Sequence, residues 1–258
     1  MQFGAYPIAV MVVHNRSLNS IETVRVRVKR LRQAESIAMK VQALQDADPD
    51  VRLVVTGDFN AFEFTDGYVD AVAVISGNFD PTQNLVCSET ACMPDLVEPN
   101  LVNEALNLPM TSRYSFNFRG NAQILDHGLT TVKLSSEVRD AQYGRGNADA
   151  ASIVLKDDGS ADPTHLALRS ADHDGVVIFV AADEDADGLP KDDDLCPATM
   201  LPEGISSESL GVNRFADTDG DGIFDTTSSR GKGPNRSYDL GDTAGCSCEQ
   251  IIEAQGLG

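Results

Sequence analysis

Val51-Arg52-Leu53-Val54-Val55-Thr56-Gly57-Asp58-Phe59-Asn60 is a short β-branched run that stops at a glycine and hands over to an acid and an amide. A brief apolar run closed by glycine reads as a buried strand. In open α/β sheets, ligands and reactive groups gather at the carboxyl ends of strands, so Asp58 and Asn60 stand where chemistry is expected. Taken alone, Gly57-Asp58-Phe59-Asn60 is also what an Asx turn after a strand looks like.

Upstream, Tyr6–His14 reads as a second buried strand. Between the two, Glu22 to Gln45 carries Val28, Leu31, Ala34, Ile37, Ala38, Val41 and Leu44 on one helical face, and Asp48-Pro49-Asp50 ends it. Downstream, Thr65 is placed to cap a short helix beginning at Asp66 and carrying Val69, Val72, Ala73 and Ile75. Asn100–Leu106 reads as a further short helix. Tyr114–Phe118, Gln123–Leu129, Thr130–Leu134, His165–Leu168 and Val176–Val180 read as strands, and the polar residues 135–164 as a long loop. Strands alternating with helices predict an α/β fold.

The chain has 258 residues, enough for one large core with an appendage. After Ala182, Asp, Gly, Ser and Pro take over and apolar periodicity stops, which predicts domains at 1–181 and 182–258. The formal charge is −20, with 17 acidic and 5 basic side chains in residues 182–258 and 23 and 15 before them. An acidic surface opposes long-range attraction to nucleic acid, so a nucleic-acid site needs local basic groups or bound cations. Arg25, Arg27, Lys29, Arg30 and Arg32 form either a basic stripe or, the commoner case, a solvated helix face. No apolar run reaches the ~20 residues that span a bilayer. The apolar start lacks the basic region of a signal peptide.

Cys87, Cys92, Cys196, Cys246 and Cys248 show no four-ligand zinc spacing. Cys87 and Cys92 flank a short loop and could be bridged. The odd total leaves one thiol free or paired outside the chain. Bridges suit an oxidising compartment.

Of four histidines, three sit beside polar partners at strand ends: His14, His127 after Asp126, and His173 after Asp172. Hydrolysis of a phosphodiester needs a deprotonated water, a neutralised phosphate and a stabilised leaving oxygen. Aspartates can hold a hard divalent cation for the second task. A histidine with a carboxylate partner can take the proton from water. A second histidine and an asparagine amide can bind phosphate oxygens as charge builds.

The order His14, then Gly57-Asp58-Phe59-Asn60, then Leu125-Asp126-His127, then Asp172-His173 resembles the endonuclease/exonuclease/phosphatase superfamily, the deoxyribonuclease-I-like fold. The wording of Arg30-Leu31-Arg32-Gln33-Ala34-Glu35, Asn60-Ala61-Phe62-Glu63-Phe64-Thr65-Asp66-Gly67-Tyr68 and Arg113-Tyr114-Ser115-Phe116-Asn117-Phe118 is similar to bacterial extracellular nuclease-like members. The resemblance covers roughly residues 5–181. It implies the C-terminal half of a four-layer α/β/β/α sandwich and a Mg2+- or Mn2+-dependent phosphodiesterase. His14 would then bind phosphate or act as general acid, Asp58 would orient water or metal, and Asn60 would hold a phosphate oxygen. Asp126 would orient His173, the general base, and Asp172 would ligate the metal together with Asp58. His127 falls at a variable position, where a structural histidine is expected. The superfamily's N-terminal half supplies a metal-binding glutamate and half of each sheet, and no residue here occupies those positions. The expectation is therefore a fragment, weak in metal binding on its own.

In the acidic tail, Asp185-Ala186-Asp187-Gly188 leads into Asp192-Asp193-Asp194-Leu195-Cys196-Pro197, and Asp217-Thr218-Asp219-Gly220-Asp221-Gly222-Ile223-Phe224-Asp225 follows. Alternating Asp followed by Gly suits a loop around calcium, with oxygens at about 2.4 Å. Asp185, Asp187, Asp192, Asp194, Asp217, Asp219, Asp221 and Asp225 are the expected ligands; the alternative is a disordered acidic linker. These stretches resemble thrombospondin type 3 repeats, which implies that Cys196 pairs with Cys246 or Cys248. Ordering by calcium would require millimolar concentrations, hence an extracellular, periplasmic or cell-surface setting.

The expectation for the whole chain is an extracellular nuclease acting on DNA or RNA. A phosphatase or phospholipase of the same superfamily is the enzymatic alternative, and a calcium-binding surface module the non-catalytic one.

Overall fold

A computed structural model describes residues 2–3, 6–149, 171–183, 185, 187–189, 193–196, 198–206, 215–225 and 238–256. The chain divides into two compact units, Met1–Val180 and Ala181–Gly258, one residue from the boundary read in the composition. The first unit is mixed α/β, as the alternation of patterns predicts.

Its elements are β1 (Gln2–Phe3), β2 (Tyr6–Pro7), β3 (Ala9–His14), α1 (Val24–Ala47), β4 (Leu53–Asp58), α2 (Ala71–Ser76), β5 (Val102–Asn103), β6 (Phe116–Phe118), β7 (Asn121–Gln123), β8 (Asp126–Thr130), α3 (Val132–Ser136), β9 (Val138–Tyr143) and β10 (Val176–Val180). The central sheet runs β3-β4-β8-β5. β3 and β4 are parallel, whereas β4–β8 and β8–β5 are antiparallel. β9–β10 and the hairpin β6–β7 form separate antiparallel pairs. Parallel neighbours need a long crossover, and α1 supplies it. Its apolar stripe, Leu31, Ala34, Ala38 and Val41, is buried with Leu53 and Val55 of β4 and Ile75 of α2 in one core.

The strand expected over Tyr6–His14 is buried on one face only. Val13 is in the core, whereas Val12 is 76% exposed and Val10 also faces outward. β3 is the edge strand of its sheet, and side chains alternate across a strand, so one face packs on α1 and the other meets solvent.

Several local expectations are corrected, each by an identifiable hydrogen bond. The helix expected from Asp66 starts five residues later. The Asp66 carboxylate accepts from the backbone N–H groups of Tyr68 and Val69 at 2.9 and 2.8 Å, which closes an Asx turn, and Asp70 caps α2 by accepting from Ala73 N–H at 3.0 Å. Asn100–Leu106 is the short strand β5 followed by a 3-10 turn, Glu104–Asn107, rather than a helix. The run Gln123–Leu129 is split between β7 and β8, because Leu125 and Asp126 N–H both donate to the buried Ser115 hydroxyl at 3.1 Å. Thr130–Leu134 turns into α3 after Thr131, whose hydroxyl donates to Val51 O at 2.6 Å and accepts from Leu53 N–H at 3.1 Å. β9 lies inside the expected loop 135–164, and His165–Leu168 lies outside the described residues.

The basic residues of α1 split into two groups. Arg30 is almost wholly buried, so a solvated face is not its setting. Its Nε donates to Asp66 Oδ2 at 3.2 Å, Nη2 lies 3.0 Å from the same oxygen, and Nη1 donates to Arg16 O at 2.5 Å. Arg27 pairs with Glu89 at 2.7 Å and Arg32 with Glu35 at 2.6 Å. Arg25 and Lys29 are exposed and have no ion-pair partner among the described residues.

The tail unit contains the helix α4 (Cys248–Gln255), with Ser247 and Gln250 forming a capping box; the composition gave no sign of this helix. The disulfides are Cys87–Cys92 and Cys196–Cys246, with Cys248 a free thiol. This decides between the two partners left open for Cys196.

Breaking a buried ion pair strands its partner, at a cost of about 3–5 kcal/mol. Asp66→Ala is therefore expected to lower unfolding free energy by about that amount in urea titrations. A loss under about 1 kcal/mol would show that Arg30 does not depend on this carboxylate.

Candidate active site

Strand register brings the separated motifs together. His14 of β3 is the Cα partner of Asp58 of β4, and Asp58 is the partner of Asp126 of β8. Residues opposite one another project to the same face. One row across three strands therefore carries the histidine, the aspartate after the glycine, and the aspartate of the Asp126-His127 pair. The next row holds Val13, Gly57 and His127. Gly57 has φ 126°, and a Cβ there would run into the Val13 carbonyl oxygen. Only glycine allows β3 and β4 to approach this closely at the site.

Asn60 follows with φ 48°, the left-handed region that asparagine tolerates. Its backbone N–H donates to Asp58 Oδ1 at 2.7 Å, and its amide Nδ2 donates to Asp58 Oδ2 at 2.8 Å and to Asn15 O at 3.1 Å. The amide protons are thus engaged in holding Asp58. This is a different task from the phosphate contact expected of them. Burial pushes the Asp58 carboxyl above its ordinary pKa, and the neighbouring Asp126 adds to the effect. Like charges on directly opposite strand residues are unfavourable, so this pair invites a cation.

His173 arrives from the far end of the unit. Its Nδ1 lies 2.6 Å from Asp126 Oδ2. An ionised carboxylate only accepts, which assigns the proton to Nδ1 and leaves the lone pair on Nε2. The hydrogen bond to Asp126 raises the His173 pKa against the opposing effect of burial. Phe116 stacks on the ring at 4.5 Å between centroids, 30° from parallel. His14 is the loosest member, with Nε2 3.5 Å from Asp58 Oδ2 and its side chain 80% exposed.

Asp58, Asp126 and His173 each offer a ligand atom within 4.8 Å of the others. Asp172, expected as a metal ligand, is exposed and is not in that group. The two carboxylates, completed by water, suit a hard divalent cation, with the imidazole beside them engaged by Asp126.

Four supporting residues had no distinguishing signal of their own. Asp174, fully buried, accepts from the N–H groups of Asn147 and Ala148 at 2.8 and 3.2 Å and pairs with Arg145 at 3.2 Å. Its own N–H donates to Ser115 O at 2.7 Å, which fixes the loop carrying His173. The Tyr143 hydroxyl donates to Asp126 O at 2.6 Å. Ser115 lay inside a quoted stretch and Asp174 directly after one; Arg145 and Tyr143 could have been found only from the fold.

His127 is structural, as expected. It is fully buried, its Nε2–H donates to Ala61 O at 2.9 Å, and its Nδ1 accepts from Asn103 Nδ2 at 3.0 Å. Asn103 Oδ1 accepts from Ala105 N–H, which turns the amide nitrogen toward the ring. Burial lowers its pKa from 6.5 to about 4.

Two hollows are lined by residues of the segment that follows His14. One, of about 460 Å3, is lined by Asn19, Asn60, Phe116, Phe118, Gln123 and Leu125 among others. The other, of about 400 Å3, is lined by Arg16, Arg25 and Lys29 together with Ser20 and Thr23.

In the tail unit, Asp183, Asp185 and Asp187 form one acidic group and Asp217, Asp219 and Asp225 another. Asp183 was not among the expected ligands. Asp194 Oδ1 accepts from Cys196 N–H and Asp221 Oδ1 from Ile223 N–H, and neither residue is in a group. Asp192 lies outside the described residues. Asp217 accepts from Gly220 and Gly222 N–H at 2.6 and 2.7 Å, which curls the loop around its carboxylate.

No family model and no curated protein matches the chain.

The two central histidines should titrate apart by NMR. His127 should stay neutral down to about pH 4, and His173 should take its proton above the ordinary 6.5. Between pH 6.5 and 4 the unfolded chain binds a proton at His127 that the folded chain refuses. Stability present above 6.5 should therefore fall toward pH 4, by up to about 3 kcal/mol from this residue. A His127 ring titrating near 6.5 would contradict the buried network.

Proposed function

We propose that residues 1–180 form the catalytic portion of a metal-dependent phosphodiesterase, a nuclease of the endonuclease/exonuclease/phosphatase kind. One observation carries the reading: the 2.6 Å contact between His173 and Asp126, in register with Asp58 and His14 across neighbouring strands. Asp126 holds the His173 tautomer with Nε2 facing away, so Nε2 takes the proton from an attacking water. The imidazolium that forms stays beside the Asp126 carboxylate. Asn60 keeps Asp58 oriented, and Asp58 in turn faces both His14 and Asp126. His14, exposed at the rim, is placed to donate a proton or a hydrogen bond to the leaving oxygen. A divalent cation held by Asp58 and Asp126 would neutralise phosphate charge. Arg25 and Lys29, exposed and without an ion-pair partner among the described residues, favour a polyanion over a small phosphomonoester.

The experiment is hydrolysis of plasmid and single-stranded DNA and RNA by the full chain with Mg2+, with EDTA as the control. His173→Ala should reduce the rate at least about a hundredfold while circular dichroism and melting stay the same. A near-normal rate in that variant would remove His173 from the base role. Cation-independent cutting would remove the metal.

A second activity is supported for the tail. Asp187 is 6% exposed, its Oδ2 has no hydrogen-bond partner, and burial with Asp185, Asp194 and Asp183 raises its pKa to about 6. A buried carboxylate oxygen without a partner is costly unless a cation meets it. On this reading the tail binds calcium in the manner of thrombospondin type 3 repeats, in an extracellular or cell-surface setting. Calcium should slow proteolysis of residues 181–258, and Asp187→Asn should abolish that protection without changing phosphodiester cleavage at fixed Mg2+. Equal proteolysis with and without calcium in the unmutated chain would sink the idea.

A further inference from the structure

We propose that the hollow beside Asn60 is a nucleobase subsite, holding the base of a nucleotide next to the scissile phosphate of a single strand. The proposal rests on the phosphodiesterase reading and narrows its substrate to nucleic acid with an accessible base. At about 460 Å3 the hollow lies in the ~300–1,000 Å3 range of small-molecule sites.

Its walls have the chemistry of a base-stacking platform. Phe116 and Phe118 stand two apart on one strand, so they share a face. Their rings are 6.4 Å apart and 21° from parallel. Phe118 is about half exposed, an aromatic surface with nothing apolar to gain from solvent. Leu125 adds an apolar contact, while the amides of Asn19 and Gln123 offer both donors and acceptors and Asn60, its amide protons already engaged, an acceptor oxygen. Among the described residues no charged side chain lines the hollow, which disfavours a phosphorylated headgroup and suits a flat, uncharged heterocycle.

Position supports the same occupant. Phe116 is shared between the hollow and His173, and Asn60 between the hollow and Asp58. A base stacked here therefore has its own phosphate beside the row of catalytic groups. Across the Ser17–Asn19 turn, the cleft with Arg16, Arg25 and Lys29 offers positive charge to the next phosphates. A base paired within a duplex cannot enter without leaving its stack, so single strands should be preferred. Stacking discriminates poorly among bases, so little sequence preference is expected.

The test is a titration of the full chain, in Mg2+, into a phosphorothioate-linked single strand carrying 2-aminopurine, whose fluorescence reports stacking. Quenching should saturate with the parent. Phe118→Ala should weaken binding about five- to a hundredfold, Phe118→Trp should retain it, and an abasic strand should compete more weakly by a similar factor. No quenching, or equal affinity for the base-bearing and abasic strands, would overturn the subsite. Cleavage of ordinary strands is scored separately. Base-dependent binding without cleavage keeps the subsite and removes the hydrolase, whereas cleavage indifferent to base and to Phe118 does the reverse.

Discussion

The close approach of β3 to β4 at Gly57 is the constraint on which the rest of the site depends. A side chain there would meet the Val13 carbonyl, and the register that aligns His14 with Asp58 could not form. The same register aligns Asp58 with Asp126, since β4 is the strand common to both pairs. A slip of one residue on either side would send His14 or Asp126 to the opposite face of the sheet from Asp58. The core enforces the pairing from below, because Val13 and Val55 must face α1. Hydrophobic burial thus sets which way the polar row points.

His173 is a different case, because no ladder of the central sheet carries it. It is held at Asp126 by its own bridge to Phe116, by Asn147 Nδ2 donating to its carbonyl at 2.8 Å, and by Asp174, which Arg145, two backbone N–H groups and Ser115 anchor. Ser115 has two tasks. Its hydroxyl takes the N–H groups of Leu125 and Asp126, and its carbonyl takes Asp174 N–H. Both ends of the Asp126–His173 contact therefore refer to one buried serine. A geometry held from two sides by the same residue varies little, which is what a proton-transferring pair needs.

The sequence was legible where one physical effect dominated. The apolar stripe of α1 and the β-branched run of β4 are set by burial alone, and both stand within a few residues of where periodicity puts them. The four-motif order pointed to His14, Asp58, Asn60, Asp126 and His173, and these residues do converge. It failed where a side chain captured backbone N–H groups, as Asp66 and Ser115 do, because such competition has no period. It also misread Arg30, since a charge run on a helix is usually solvated and nothing local announces that Asp66, 36 residues away, will bury it. The ligand role of Asp172 followed from its place in the motif, yet its carboxylate is exposed and the buried Asp174 next to His173 is the structural acid.

The charge of the chain bears directly on how the proposed reaction would work. A net charge of −20 repels a polyanion at long range, so association cannot rely on the overall field. What remains is local: two cations, Arg25 and Lys29, without an ion-pair partner among the described residues, an aromatic hollow whose described lining is uncharged, and two facing aspartates that are unfavourable without a cation between them. The aspartate pair then has two roles. It would bind the cation that neutralises phosphate, and without that cation it adds to the repulsion. Binding of substrate and binding of metal are therefore coupled through the same two carboxylates. On the proposed reading such a site would be nearly inert toward nucleic acid until the divalent ion is present. On that reading, the cation concentration would set when so acidic a chain can engage its substrate, and stacking on Phe116 and Phe118 would supply the affinity that salt cannot screen.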